Sequence, residues 1–218
     1  MAYEALNYLP TPDTTPLVGP GFVSQALLQN TAGMTHALND GSTIGVEFKG
    51  SFWTINIAYP QLTESEAAPL INFFNKIRGP FKSFYVSLPT KTSPSAGDWT
   101  GNFNQLSVSA TDDTILKIGN WSSQQNKGTI SNQDSLKLSD GNKIYSVSEV
   151  SLDNNVLSVH LSSPIINQAN ISGGGVTLKS SENNDIKYKV RIEAVPVFTL
   201  TPEGVYNGFS ISMRENIR

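Results

Sequence analysis

Residues 51–79 read SFWTINIAYPQLTESEAAPLINFFNKIRG, and this stretch decides the fold class. Trp53, Ile55, Ile57 and Tyr59 fall on one side of an extended chain, with Thr54, Asn56 and Ala58 on the other. That alternation is the signature of a strand with one buried face. Thr63 stands three residues before Glu66, the spacing of a capping box in which each side chain satisfies an orphan backbone donor of the other residue. Ala67, Leu70, Ile71, Phe74 and Ile77 then recur at helical spacing, which predicts a helix over about 63–78. Gly79 favours the left-handed stop and Pro80 forbids continuation. Pro69 is the discordant residue; lacking an amide donor, it is expected to bend the first turn or move the true start later. A half-buried strand feeding an amphipathic helix calls for one layer packed on another, with Trp53, Leu70, Ile71 and Phe74 as candidate core.

Outward from this stretch the alternation persists. Phe84, Val86 and Leu88 oppose Tyr85 within Phe81–Leu88, and Ile44, Val46 and Phe48 alternate with polar neighbours, which predicts a buried face there too. Asn39-Asp40-Gly41 is a hairpin signal, because Asp-Gly supplies the positive φ of a tight turn. Upstream, the prolines and glycines between Leu9 and Gly21 exclude a helix or central strand and suggest an extended arm or wrapped edge. Near the C-terminus, Ile186, Tyr188, Val190 and Ile192 alternate with Lys187, Lys189 and Arg191, a strand with a cationic outer face. Asn207-Gly208 is expected to turn a last hairpin into Phe209, Ile211 and Met213.

Composition divides the 218 residues. Between Thr90 and Asp185, Ser, Thr and Asn supply 37 of 96 residues, whereas only four of the chain's 20 aromatics lie there. Such a shift is what an independently folding insertion produces. The expected organisation is a discontinuous outer domain, 1–89 plus 186–218, interrupted by an inserted domain over 90–185. The insert reads as short strands at Leu106–Ala110, Ile115–Ile118, Ser135–Leu138, Lys143–Leu152, Val156–Leu161 and Val176–Lys179. Turn signals at Asp140-Gly141 and Asp153-Asn154-Asn155 fall between them, the rhythm of a small barrel of the OB type or of a sandwich. The predicted class is therefore mainly β: an antiparallel sheet or sandwich outer domain with one helix, plus an OB-fold-like β-barrel insert.

Chemistry is hard to find. The chain has no cysteine, which excludes disulfides, zinc ribbons and thiol catalysis. It carries 15 basic and 18 acidic side chains, a net charge of −3, and nothing is basic enough to suggest a nucleic-acid clamp, which usually shows a high pI and clustered Lys/Arg. No apolar run approaches the ~18 residues of a membrane span, and the first ten residues carry Glu4 without an apolar core, so neither membrane insertion nor a signal peptide is expected. His36 and His160 lie far apart without carboxylates at ligand spacing, so no metal or cofactor is expected. Asp112-Asp113 reads as a turn and Glu64 with Glu66 as the acidic first turn of a helix, rather than as acid/base pairs. Gly173-Gly174-Gly175 precedes strand-like residues instead of a helix, which argues against a phosphate loop. Trp99 and Trp121 are candidate stacking platforms for a glycan or partner, weighed against a role in a small core.

The order of pieces resembles the distal tail proteins of long-tailed bacteriophages, in the variety with an OB-fold-like insertion. The residues that carry the resemblance are Phe52–Glu66, the helix to Arg78-Gly79, the Phe-rich strand after it, and the closing Gly208–Glu215. Within the insert, Gln133–Leu138 looks like a segment that in the family opens a strand with Gly, here replaced by Gln. The resemblance implies a non-enzymatic virion protein, assembled in the host cytoplasm. It implies a homo-hexameric ring at the distal end of the tail, joining tail tube protein to the tail-tip or baseplate hub protein, with genome DNA passing through the lumen. The insert would project outward to dock tip proteins or touch a host-surface glycan. A chain of net charge −3 makes such a ring acidic overall, which is expected to keep transiting DNA from sticking. The rival readings are a carbohydrate-binding adhesin module, a baseplate component of a contractile tail, and a cell-wall hydrolase, for which no paired acid or activated nucleophile stands out.

Overall fold

The computed structural model describes residues 8–11, 18–88, 101–102, 106–123, 130, 132, 134–138, 143–166, 177–179 and 187–216. The protein is mainly β, with antiparallel pairing in its sheets and one α-helix among the described residues. The chain divides into two compact units: Met1–Asn30, Phe52–Ser87 and Lys187–Arg218 in the first, Thr31–Ser51 and Leu88–Ile186 in the second.

The first five-stranded sheet contains β1 (Ser24–Ala37), β2 (Thr43–Tyr59), β4 (Phe84–Val86), β12 (Tyr188–Ile192) and β14 (Phe209–Glu215), ordered β1-β2-β14-β12-β4. Period-2 burial follows the sequence in the half of β2 that belongs to the first unit. Ile55, Ile57 and Tyr59 are buried, in register with Met213, Ile211 and Phe209. Val190 and Ile192 of β12 and Phe84 and Val86 of β4 extend the same apolar face. Helix α1 (Glu64–Ile77) covers it, burying Ala67, Leu70, Phe73, Phe74 and Ile77. Rings lock the two layers: Phe73 meets Phe84 edge-on at 5.1 Å, and Phe74, Phe198, Phe209 and Tyr59 form a chain of contacts. Aromatic pairs of this geometry add about 0.5–1.5 kcal/mol each beyond their buried area. Burial pushes the Tyr59 phenol up, and its hydroxyl has no hydrogen-bond partner among the described residues.

The helix begins at Glu64, so Pro69 does not displace its start. The Glu66 carboxylate accepts from the Thr63 amide at 2.9 Å and the Thr63 hydroxyl at 2.7 Å, anchoring the first turn ahead of the proline. At the other end Arg78 itself adopts the left-handed conformation, followed by Gly79, also at positive φ. Phe73 was not among the residues predicted to face the core, while Ile71, which was, is only half-buried. The buried stripe is rotated slightly toward Phe73 because that ring finds Phe84.

Two expectations are corrected. Ile44 and Val46 are not buried, although they alternate as predicted. Asn207-Gly208 does not turn a hairpin: β13 (Val205–Tyr206) pairs with β3 (Leu62–Thr63), whereas β14 pairs with β2. The tight turn lies earlier, at Thr201–Val205, where Gly204 takes positive φ. Gly208 is needed for close approach instead, since a Cβ there would sit 3.0 Å from the Tyr59 carbonyl oxygen.

The second unit holds a seven-stranded sheet of β5 (Gly101–Asn102), β6 (Leu106–Val108), β7 (Ile115–Ile118), β8 (Ser135–Leu138), β9 (Ile144–Asp153), β10 (Val156–Leu161) and β11 (Thr177–Lys179). The order is β5-β11-β8-β9-β10-β7-β6. Asn154 and Asn155 both take positive φ and form the two-residue turn between β9 and β10, as their sequence suggested. The register shifts between His160 and Leu161, which makes Ser148 of β9 the extra residue of a bulge, the device that coils a sheet toward a barrel. Leu116, Ile118, Leu136, Val147 and Val159 are the fully buried centre. Within this unit the buried Lys143 ammonium is held by the Ser51 carbonyl and, at 2.9 Å, by the Ser51 hydroxyl. The Asp140-Gly141 turn signal lies outside the described residues.

Two outcomes follow. Gly208→Ala pushes a methyl group into backbone, and chemical denaturation should show a loss of about 1–3 kcal/mol, the usual cost of overpacking. The Thr63 hydroxyl, then its amide, holds the Glu66 carboxyl below the usual glutamate range. A depressed folded-state value means stabilisation that is present above the unfolded value and lost as pH falls through the folded one. Carboxyl-detected NMR titration should therefore place Glu66 low in the native chain and move it upward in Thr63→Ala.

Candidate assembly interface

β1 and β2, joined by the turn at Asp40-Gly41, form a two-stranded arm. The turn at the tip is built by Asp40, whose carboxylate accepts from the Ser42 amide at 2.9 Å and hydroxyl at 2.6 Å. Those bonds, the hydroxyl's first, hold the Asp40 carboxyl below its usual range. Gly41 supplies the positive φ.

The arm is apolar in places where it is open to water. Leu28 is 58% exposed, Met34 66%, Ile44 52% and Val46 53%. The 14 residues of β1 read SQALLQNTAGMTHA, without Asp, Glu, Lys, Arg or Pro. β1 is also the terminal strand of its sheet. Exposed edge strands are ordinarily blunted with Lys, Pro or bulges, because unpaired amides and carbonyls invite another strand. The opposite edge, β4, is covered: the Leu9 amide donates to the Tyr85 carbonyl at 3.0 Å and Tyr8 bridges Tyr85. β1 went unread in the sequence because it lacks a regular apolar alternation. One signal was available, since a hairpin turn at Asp40-Gly41 requires a strand on both sides.

The predicted site residues fall in separate places. Trp53 is half-buried in β2, its amide donating to the Glu215 carboxylate at 3.2 Å. Leu70 and Phe74 are buried under the helix and Ile71 is half-buried beside them. Trp121 opens a short 3₁₀ turn, Trp121–Ser123, and packs half-buried against the core of the second unit. Trp99 and Gly173-Gly174-Gly175 lie outside the described residues. His36 is exposed on the arm and His160 is half-buried on β10, in register with Glu149. Asp112 is a turn residue: the Thr114 hydroxyl and amide bond to it and, with His160 adding a smaller effect, lower its carboxyl. Among the described residues no cluster of three His, Asp or Glu is placed to hold a metal ion, and no helix is long and apolar enough to cross a membrane.

The most distinctive described surface is thus an apolar edge strand without Asp, Glu, Lys or Arg. Residues 9–90 match the family model described as distal tail protein pb9, A domain, N-terminal. The chain is also similar to distal tail protein pb9 of Escherichia phage T5, 27% identical over 225 residues covering 96% of this chain and 99% of that protein. Both likenesses agree with the resemblance to bacteriophage distal tail proteins, and they support a structural role in a phage tail.

Trp121 tests how its unit is held together. Removing a ring half-buried against that core should cost about 2–3 kcal/mol, below the range for a fully buried aromatic. Circular dichroism of Trp121→Ala during urea unfolding should show the loss as a lowered midpoint.

Proposed function

We propose that the chain is a non-enzymatic ring protein at the distal end of the phage tail. The observation that carries this reading is the arm: a long hairpin with exposed apolar side chains on an uncharged, unblunted edge strand. A two-stranded ribbon is marginal in water by itself and gains stability when another surface covers it. In a ring of identical copies, the arm of each chain lies against its neighbour, a heterologous contact that closes by rotation. The outer domain, 1–89 and 186–218, supplies the ring. The insert, 90–185, is an OB-fold-like module that faces outward toward tip proteins. On the resemblance to distal tail proteins, the ring is read as a hexamer that joins tail tube protein to the hub, with genome DNA passing through the lumen and assembly in the host cytoplasm.

Native mass spectrometry and negative-stain microscopy of the purified full chain, with and without tail tube protein, test this. Closed rings are expected, and Leu28→Lys/Met34→Lys should leave monomers that melt cooperatively. Monomers of the unmodified chain at high concentration, with tube protein present, would overturn the ring.

A further inference from the structure

Net charge hides a strongly uneven surface in the first unit. Strands β12 and β14 turn Tyr188, Val190, Ile192, Ile211 and Met213 into the core. The alternate residues Lys187, Lys189, Arg191 and Arg214 therefore share the opposite face of the sheet. The chain has 15 basic residues, and four of them gather here. The single acid in the same rows, Glu193, already accepts a hydrogen bond from the Ser212 hydroxyl at 2.6 Å.

Two features make this more than a solvated strand face. Arg191 is directly opposite Arg214 in the register, and both are exposed. Like charges in that position destabilise a sheet, so the pair carries a repulsion that a bound anion would relieve. Aromatic rings also hold the cations in place. The Arg214 guanidinium lies 3.6 Å from the Phe52 ring centre, and the Lys187 ammonium 4.6 Å from that of Tyr8. Tyr8 in turn lies 5.5 Å from Tyr85, which is opposite Lys189. A cation–π contact engages the face of a guanidinium and leaves its edge N–H donors directed outward.

We propose that this sheet face binds the phosphate backbone of nucleic acid. Forked guanidinium donors suit phosphate oxygens, and half-buried rings between the cations suit a sugar-phosphate chain. An acidic peptide fits less well, because a sheet face offers side chains only and withholds the backbone pairing that extended peptides use. The binding is independent of sequence and sensitive to salt, since no base-reading element is present on the face. The inference goes beyond the ring and does not depend on it, because every residue of the face belongs to one chain.

Fluorescence anisotropy of the full chain with a labelled mixed-sequence duplex, across a salt series, is the test. The plot of log affinity against log salt should have a slope of about −3 to −4, one phosphate per cation. Arg191→Ser/Arg214→Ser should make that slope shallower by about 2 and weaken binding at least about tenfold at low salt. Both positions are exposed, and a thermal melt checks that the variant folds. Lys76→Ala, on the helix, should bind like the unmodified chain. Unchanged binding by the double variant would overturn the proposal, as would displacement of DNA by poly-glutamate at equal charge. Because the measurement reads binding by any oligomeric state, loss of the ring and loss of this site give different results.

Discussion

The structure depends on one continuous strand that passes through two environments. Along Thr43–Tyr59, Ile55 and Ile57 are sealed under the helix, whereas Ile44 and Val46, on the same period, are open to water. The buried half is pinned by its register with β14 and by the rings of α1 and the C-terminal segment. Ile44 and Val46, left exposed, do little to offset the entropy of ordering this backbone, about 1–2 kcal/mol per residue. Asp40 and Gly41 set its turn, and backbone pairing with β1 holds the strand.

The same contrast explains what could be read from the residues alone. Local signals transferred well: the Thr63–Glu66 cap, and the strands Ile115–Ile118, Ser135–Leu138 and Val156–Leu161, whose ends coincide with the observed ones. Alternation tells which side chains share a face, but not whether anything covers that face, and so Ile44 and Val46 were read as buried. Asn207-Gly208 has the composition of a hairpin turn, yet the glycine answers to a tertiary contact with Tyr59, which no local pattern encodes. Phe73 joined the core because of the Phe84 ring, eleven residues on in sequence but adjacent in space. The arm's partner strand was hidden for a different reason: a strand without a buried face is under no pressure to alternate.

Charge illustrates the limit of whole-chain arithmetic. A total of −3 says how the protein behaves at long range, but screening at physiological salt confines a surface group's influence to about 8 Å. Within that distance Arg191 senses Arg214, its partner in the register. The expectation that an acidic chain repels DNA therefore applies to the average and leaves each face to be judged by its own residues.

A low charge content, 15% of residues against about 25% in an ordinary globular domain, is then a matter of distribution. β1 carries none, on an edge where a single lysine would hinder pairing with a neighbour. Cations concentrate instead on a sheet face where side chains, not backbone groups, make the contacts. A monomer selected for solubility would arrange these the other way, charging the edge and interspersing the face. The reversed arrangement is what the proposed ring requires, because an edge covered by a neighbouring copy needs no charge to protect it.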